Sequence, residues 1–202
     1  EMQARLGRME AVIAMRLHAG ILAATVGVPP LMISYDPKVD AFARQLGIDR
    51  GAAQNYVDLY FARYPGVKAY MDRTRQQARD NGYVETVFGR RLYLPDIRSR
   101  NRALQQYAER SAINAPMQGT AADLIKKAMI AVDAWCESEG RGHAALLMQV
   151  HDELVLEVSA DAPTVQQVGA AIRERMVAAG EGALSVPLRV DIGTGPNWDE
   201  AH

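Results

Sequence analysis

The segment Leu147-Met148-Gln149-Val150-His151-Asp152-Glu153-Leu154-Val155-Leu156-Glu157-Val158 sets a charged triplet between two apolar runs, with no Gly or Pro between them. Acidic groups beside a core are costly unless something compensates them. A divalent cation would compensate Asp152 and Glu153, and Mg2+ prefers hard oxygen ligands of this kind. Two such ions can clamp the attacking and leaving oxygens of a phosphoryl transfer. An ordinary hairpin with a wet, polar tip gives the same pattern, and spacing alone leaves both explanations open. Alternation adds a difficulty. Adjacent strand residues point to opposite faces, so Asp152 and Glu153 share an ion only if the turn twists them. A two-metal site needs a further carboxylate from elsewhere.

The elements around the triplet follow from periodicity. Ala144–Val150 and Leu154–Val158 are predicted strands, 161–179 a helix, Val186–Ile192 a last strand, and Gly193–His202 an irregular tail. Upstream, Asp49–Arg63 predicts a helix anchored by Tyr56, Leu59, Tyr60 and Tyr64. Pro65-Gly66 predicts a turn, and Val67–Asp80 a polar-rich helix stopped by Asn81-Gly82. Tyr83–Leu94 alternates around Phe88-Gly89-Arg90, a hairpin signal. Ser99–Ile113 is helical, and Pro116 interrupts the pattern. A long helix then runs to about Glu139 with Leu124 or Ile125, Ala128, Val132 and Trp135 as its apolar stripe. Residues 10–47 read as alternating strand and helix, a βαβα order that suggests a fragment of a parallel sheet.

The 202 residues bound the chain to one domain or two small ones. About half are hydrophobic (49%), enough for a core. No apolar run approaches the ~20 residues needed to span a membrane. The first residues do not read as a secretory signal. Cys136, the single cysteine, cannot form an internal disulfide, which points to a reducing, cytoplasmic setting. The net charge of −1 argues against a nucleic-acid binder, since such domains are usually basic. Its distribution argues differently. Between Arg63 and Arg110 stand Lys68, Arg73, Arg75, Arg79, Arg90, Arg91, Arg98, Arg100 and Arg102, against Asp72, Asp80, Glu85, Asp96 and Glu109. A basic middle beside an acidic end allows one positive face, or simply solvated helix surface.

The order of motifs over about residues 43–202 resembles the carboxyl-terminal part of family A DNA polymerases. The resemblance is carried by Ala43-Arg44-Gln45-Leu46-Gly47-Ile48, Tyr64-Pro65-Gly66-Val67, Gly82-Tyr83-Val84-Glu85-Thr86 and Gly89-Arg90-Arg91-Leu92-Tyr93-Leu94-Pro95. It continues through Ile113-Asn114-Ala115-Pro116-Met117-Gln118-Gly119-Thr120-Ala121-Ala122-Asp123, Gln149-Val150-His151-Asp152-Glu153 and Asn197-Trp198-Asp199-Glu200-Ala201-His202. It implies an α+β fold, a palm-like antiparallel sheet with long helices, here preceded by the short βαβα segment. It also implies that Asp152 binds catalytic Mg2+ with Glu153 as its carboxylate neighbour, and that His151 lies near the primer terminus. Arg110, Asn114 and Gln118 match residues that touch primer–template DNA in the minor groove. Spaced by four, they share one face of a continuous helix. Asn and Gln can address minor-groove acceptors without choosing among base pairs, because that edge is degenerate.

The departures matter equally. The palm strand with a second metal-binding aspartate and the fingers helix that holds the deoxynucleoside triphosphate precede the matching region in this family. Neither stands before Ala43, where the residues are Met32 to Phe42. Asp36, after a predicted strand but followed by Pro37, is the one stand-in for that aspartate. Residues 1–42 instead resemble polysaccharide pyruvyl transferases, through Met15-Arg16-Leu17-His18-Ala19, Gly27-Val28-Pro29 and Ile33-Ser34-Tyr35-Asp36-Pro37-Lys38-Val39. That resemblance gives Arg16 and His18 an anion-binding role at a helix start. The two resemblances meet near Ala41-Phe42, as in a fused or recombined reading frame. The expectation is template-directed DNA synthesis by family, in a truncated chain with impaired catalysis. The alternatives are an inactive duplex-binding module and a pyruvyl transferase fragment.

Overall fold

The computed structural model describes residues 12–14 and 49–201. These fall into two compact units, one from residues 49–120 and one from residues 12–14 and 121–201.

In the first unit, α1 (Arg50–Arg63) starts at Asp49, whose Oδ1 accepts the N–H groups of Gly51 at 2.7 Å and Ala52 at 3.0 Å. A helix start leaves such donors without internal acceptors, and an Asp cap satisfies them. Only Tyr64 separates α1 from α2 (Pro65–Asn81). The turn expected at Pro65-Gly66 is thus the first turn of α2. Pro suits that position because its missing N–H would have no intrahelical partner there. Gly82, at φ 78, ends α2 in the left-handed conformation that glycine adopts without strain. Of the expected anchors on α1, Leu59 is 66% exposed. Tyr60, Phe61, Tyr64 and Tyr70 pack instead against the buried Val67, Met71 and Ile113.

The predicted hairpin forms from β2 (Tyr83–Glu85) and β3 (Arg91–Tyr93), with Val84 opposite Leu92. A short 3-10 turn, Pro95–Arg98, leads to α3 (Arg102–Cys136). Val84, Leu94 and Ile97 are buried with Ala78, Ala108 and Ala112 in one cluster, so small residues on two helices let the ribbon lie close.

Pro116 does not interrupt α3; it lies inside a helix continuous from Arg102 to Cys136. Proline removes one ladder bond and costs about 3 kcal/mol in a helix interior. Tertiary bonds brace this stretch. The Tyr70 hydroxyl donates to the Ile113 carbonyl at 3.0 Å, and the Arg90 guanidinium to the Gly119 carbonyl at 2.9 Å. The Thr120 hydroxyl donates to the Pro116 carbonyl at 2.5 Å while accepting the Val87 N–H at 3.0 Å. At roughly 1 kcal/mol each, these bonds offset the proline cost.

In the second unit, Leu124, Ala128, Val132 and Trp135 of α3 are buried, as their spacing predicts. A four-stranded sheet has the order β4–β5–β1–β6, with β4 (Ala144–Val150), β5 (Glu153–Val158), β1 (Val12–Ala14) and β6 (Gly193–Gly195). Every pairing is antiparallel. The parallel sheet expected for the amino-terminal segment is therefore not what β1 joins. Strand 12–14 inserts between β5 and β6, pairing with both. The rest of the expected βαβα segment lies outside the described residues. β5 is covered on both faces, with Glu153, Leu154, Val155, Leu156 and Val158 all buried.

Helix α4 (Ala162–Ala178) is capped by Asp161, whose Oδ1 accepts the Thr164 N–H at 3.0 Å. Residues 186–192 do not form the expected strand. Leu188 and Val190 are buried there, and the Val190 carbonyl accepts from Arg173 Nε at 3.3 Å. The strand comes later, at Gly193–Gly195, and the tail expected to be irregular holds α5 (Trp198–Ala201). A Cβ on Gly193 would stand 1.8 Å from the Ala201 carbonyl oxygen, and one on Gly195 2.8 Å from the Ala201 nitrogen. Only glycine allows α5 to lie this close to its strand.

Candidate functional site

The charged triplet sits where two strands meet. Val150 pairs with Glu153, leaving His151 and Asp152 as the two residues of the turn. Two-residue hairpin turns need positive φ at a central position and usually take glycine there. Here His151 takes it, at φ 53. The side-chain amide of Gln149 donates to the His151 carbonyl and holds the turn from below. A register shift between Leu146 and Met148 adds a β-bulge near the tip; such bulges increase local twist and re-aim side chains.

The two carboxylates differ in burial. Asp152 is half-buried in the turn and His151 is exposed. Glu153 opens β5 and is only 4% exposed. The Trp198 indole N–H lies 3.4 Å from Glu153 Oε2, and the same ring packs beside Val155 and Ala201. Asp152 belongs to the turn, while Glu153 is buried beside α5. Trp198, which spacing did not mark, is the residue that receives it. Among the described residues, no group of three or more His, Cys, Asp or Glu side chains is arranged to hold an ion.

The other predicted group lies in the unit formed by residues 49–120. Arg110, Asn114 and Gln118 follow one another at four-residue spacing on α3, with Arg110 and Asn114 half-buried and Gln118 exposed. The helix continues through Pro116, so all three share a face, flanked by the buried Ile113 and Met117. Arg110 lies over the exposed Tyr107 ring at 5.9 Å. Much of the basic middle is otherwise engaged within the unit. Arg79 pairs with Glu109 at 2.5 Å. Arg98 donates to the carbonyls of Arg79 at 2.6 Å and Asp80 at 3.0 Å. Lys68 pairs with Asp72 at 2.7 Å. Arg16, His18 and Asp36 lie outside the described residues.

Comparison with known proteins fits this layout. Residues 32–200 match the model of the family described as DNA polymerase family A. DNA polymerase I of Pseudomonas aeruginosa is 51% identical over 201 residues, 92% of this chain and 22% of that protein. The chain belongs to DNA polymerase family A. The thermostable DNA polymerase I of Thermus filiformis is 44% identical over 171 residues, covering 84% of the chain and 19% of the relative. Among solved structures, the POL domain of Pol1 from M. smegmatis in complex with DNA primer-template and dNTP matches with a TM-score of 0.81 and 32% identity. That match covers 96% of this chain and 41% of the other. The chain thus spans about a fifth of the length of these curated family A relatives. Residues 1–37 also match the model of polysaccharide pyruvyl transferase, the second resemblance read from Arg16-Leu17-His18.

Proposed function

We propose that this chain serves template-directed deoxynucleotide transfer to a primer 3′-hydroxyl, with primer–template DNA and deoxynucleoside triphosphates as substrates. The observation that carries this reading is the presentation of Asp152 at a two-residue turn between paired strands, within a family A sequence. His151 is the exposed neighbour suited to lie by the primer terminus. On α3, the amides of Asn114 and Gln118 suit acceptors that every base pair offers in the minor groove, and Arg110 adds the charge that phosphates attract. The junction of the two resemblances is placed near residue 42, with residues 43–202 as the polymerase part. A cytoplasmic setting completes the reading.

Mg2+ takes hard oxygen ligands, which carboxylates of this kind supply. Asp152 offers one carboxylate at the tip, and the buried Glu153 is engaged by the Trp198 indole. The described residues therefore do not by themselves make a two-metal clamp.

Primer–template binding followed by fluorescence anisotropy tests the reading. Affinity should fall steeply with salt, because phosphate contacts release counterions. Replacing Arg110, Asn114 and Gln118 together by Ala should weaken binding about tenfold or more, given hydrogen bonds worth roughly 1 kcal/mol each. Unchanged affinity in that variant would remove α3 from the interface. The buried Glu153 also favours a second reading, a duplex-binding module without chemistry, which predicts binding without primer extension.

A further inference from the structure

The β2–β3 ribbon carries a surface that the duplex-binding reading does not use. Its register pairs Tyr83 with Tyr93 and Glu85 with Arg91 on one face, and Val84 with Leu92 on the other. Val84 is buried against Ala108 and Ala112, so the tyrosine face looks away from the core. There the two rings lie 5.6 Å apart at 60°. The Arg91 guanidinium stands 4.5 Å above the Tyr83 ring and is fixed by Glu85 at 2.7 Å. Tyr93 is 66% exposed.

The platform is held rigidly. The hairpin loop bonds to α3 through Val87 to Thr120 at 3.0 Å and through Arg90 to Gly119 at 2.9 Å. Gly119 has room for no side chain, since a Cβ would stand 2.6 Å from the Thr86 methyl. Ile97 is buried in the same cluster as Val84, which keeps the following chain beside the ribbon. From Arg90 to Arg102 that chain carries Arg90, Arg91, Arg98, Arg100 and Arg102 against Asp96 alone.

We propose that Tyr83, Arg91 and Tyr93 form a stacking platform for single-stranded nucleic acid, separate from the α3 face assigned to duplex. The positive flank complements a polyanion. The open aromatic face suits a base, whose π-surface is available only where the strand is unpaired. Arg91, already stacked on Tyr83, adds cation–π attraction and a phosphate contact. The inference rests on the primer–template reading for its biological setting, but its chemistry is independent of Asp152.

The test uses the full chain with fluorescent oligothymidylate and, separately, a blunt duplex. Tyr93→Leu keeps an apolar cross-strand partner for Tyr83 and removes the π-face; Tyr93→Phe keeps both. Combined with Arg91→Gln, Tyr93→Leu should weaken oligothymidylate binding about tenfold, the effect of losing one stacked base, while duplex affinity stays within about twofold. Tyr93→Phe should retain both affinities, and thermal melting should show every variant folded. Tyr83→Phe with Arg91→Gln serves as the second variant if Tyr93→Leu unfolds the ribbon. It should lose the phosphate contact but keep the rings, giving a smaller loss confined to oligothymidylate. No oligothymidylate binding by the parent, unchanged binding in the variants, or equal loss for both nucleic acids would overturn the platform. Competition by an acidic peptide but not by oligothymidylate would also overturn it, in favour of a protein partner. Loss of duplex binding in the Arg110, Asn114 and Gln118 variant alone would bear on α3 and leave the platform standing.

Discussion

At the scale of single residues, His151 carries a backbone cost and Asp161 a titrating helix cap. His151 occupies a positive-φ turn position at φ 53, where an L-residue pays about 1–2 kcal/mol relative to glycine. Glycine in turn loses about 0.5–1 kcal/mol of chain entropy. His151→Gly should therefore raise the unfolding free energy by about 0.5 kcal/mol, read from the urea midpoint, and His151→Val should lower it. A drop in stability on introducing glycine would show that the imidazole contributes more than the backbone costs. Asp161 caps α4. The Thr164 hydroxyl, and then its backbone N–H, hold the Asp161 carboxyl below the usual value of 3.8. Because the folded-state value is depressed, the cap's stabilisation is complete above about 3.8 and is lost as the pH falls through the lower folded value. Asp161→Asn still caps but does not titrate, so its thermal stability should fall less between pH 5 and pH 3 than the parent's. Parallel loss in both proteins would assign the acid sensitivity to other carboxylates. Burial pushes the Cys136 thiol up, which suits an inert core residue rather than a nucleophile.

At the scale of elements, the β2–β3 hairpin and α3 depend on each other. Gly119 in the middle of a helix costs about 1 kcal/mol relative to Ala. Yet an Ala Cβ would meet Thr86 Cγ2 at 2.6 Å, and overpacking of that kind costs about 1–3 kcal/mol. The steric term wins, so Gly119→Ala should destabilise the protein by about 1 kcal/mol in chemical denaturation. Thr86→Ser removes the clashing methyl and keeps the hydroxyl that accepts the Arg90 N–H at 3.1 Å. The double variant should recover the lost stability and gain the helix propensity. Additive effects in that cycle would mean that the two residues are not in contact.

At the scale of the molecule, Asp152 is the one carboxylate of the two-residue turn, and in-line phosphoryl transfer with two ions needs more. Primer extension by this chain with Mg2+ and all four deoxynucleotides is expected to be very slow or undetectable, with Asp152→Ala indistinguishable from it. Strong extension by the parent that Asp152→Ala abolishes would show that the carboxylate set is complete, and Asp36→Ala would then identify the second ligand. Binding of primer–template should persist in Asp152→Ala in either case, since the contacts proposed for it lie on α3.

The sequence alone determined the elements whose signals are local. The apolar runs on either side of the charged triplet marked β4 and β5, the spacing of Leu124, Ala128, Val132 and Trp135 marked the buried face of α3, and Asn81-Gly82 marked the end of α2. The motifs around Asp152 and Asn114 also placed the chain in its family, since their order along the chain needs no folding to be read. What tertiary structure decided is non-local. Pro116 stays helical because Tyr70, Arg90 and Thr120 brace its neighbourhood. The Val186–Ile192 pattern buries without pairing, while two glycines become the strand because α5 lies against them. Glu153 is buried because the Trp198 indole, 45 residues away in sequence, receives its carboxylate. Tyr70, Arg90 and Trp198 act from far along the chain, where no periodicity or propensity can carry their signal.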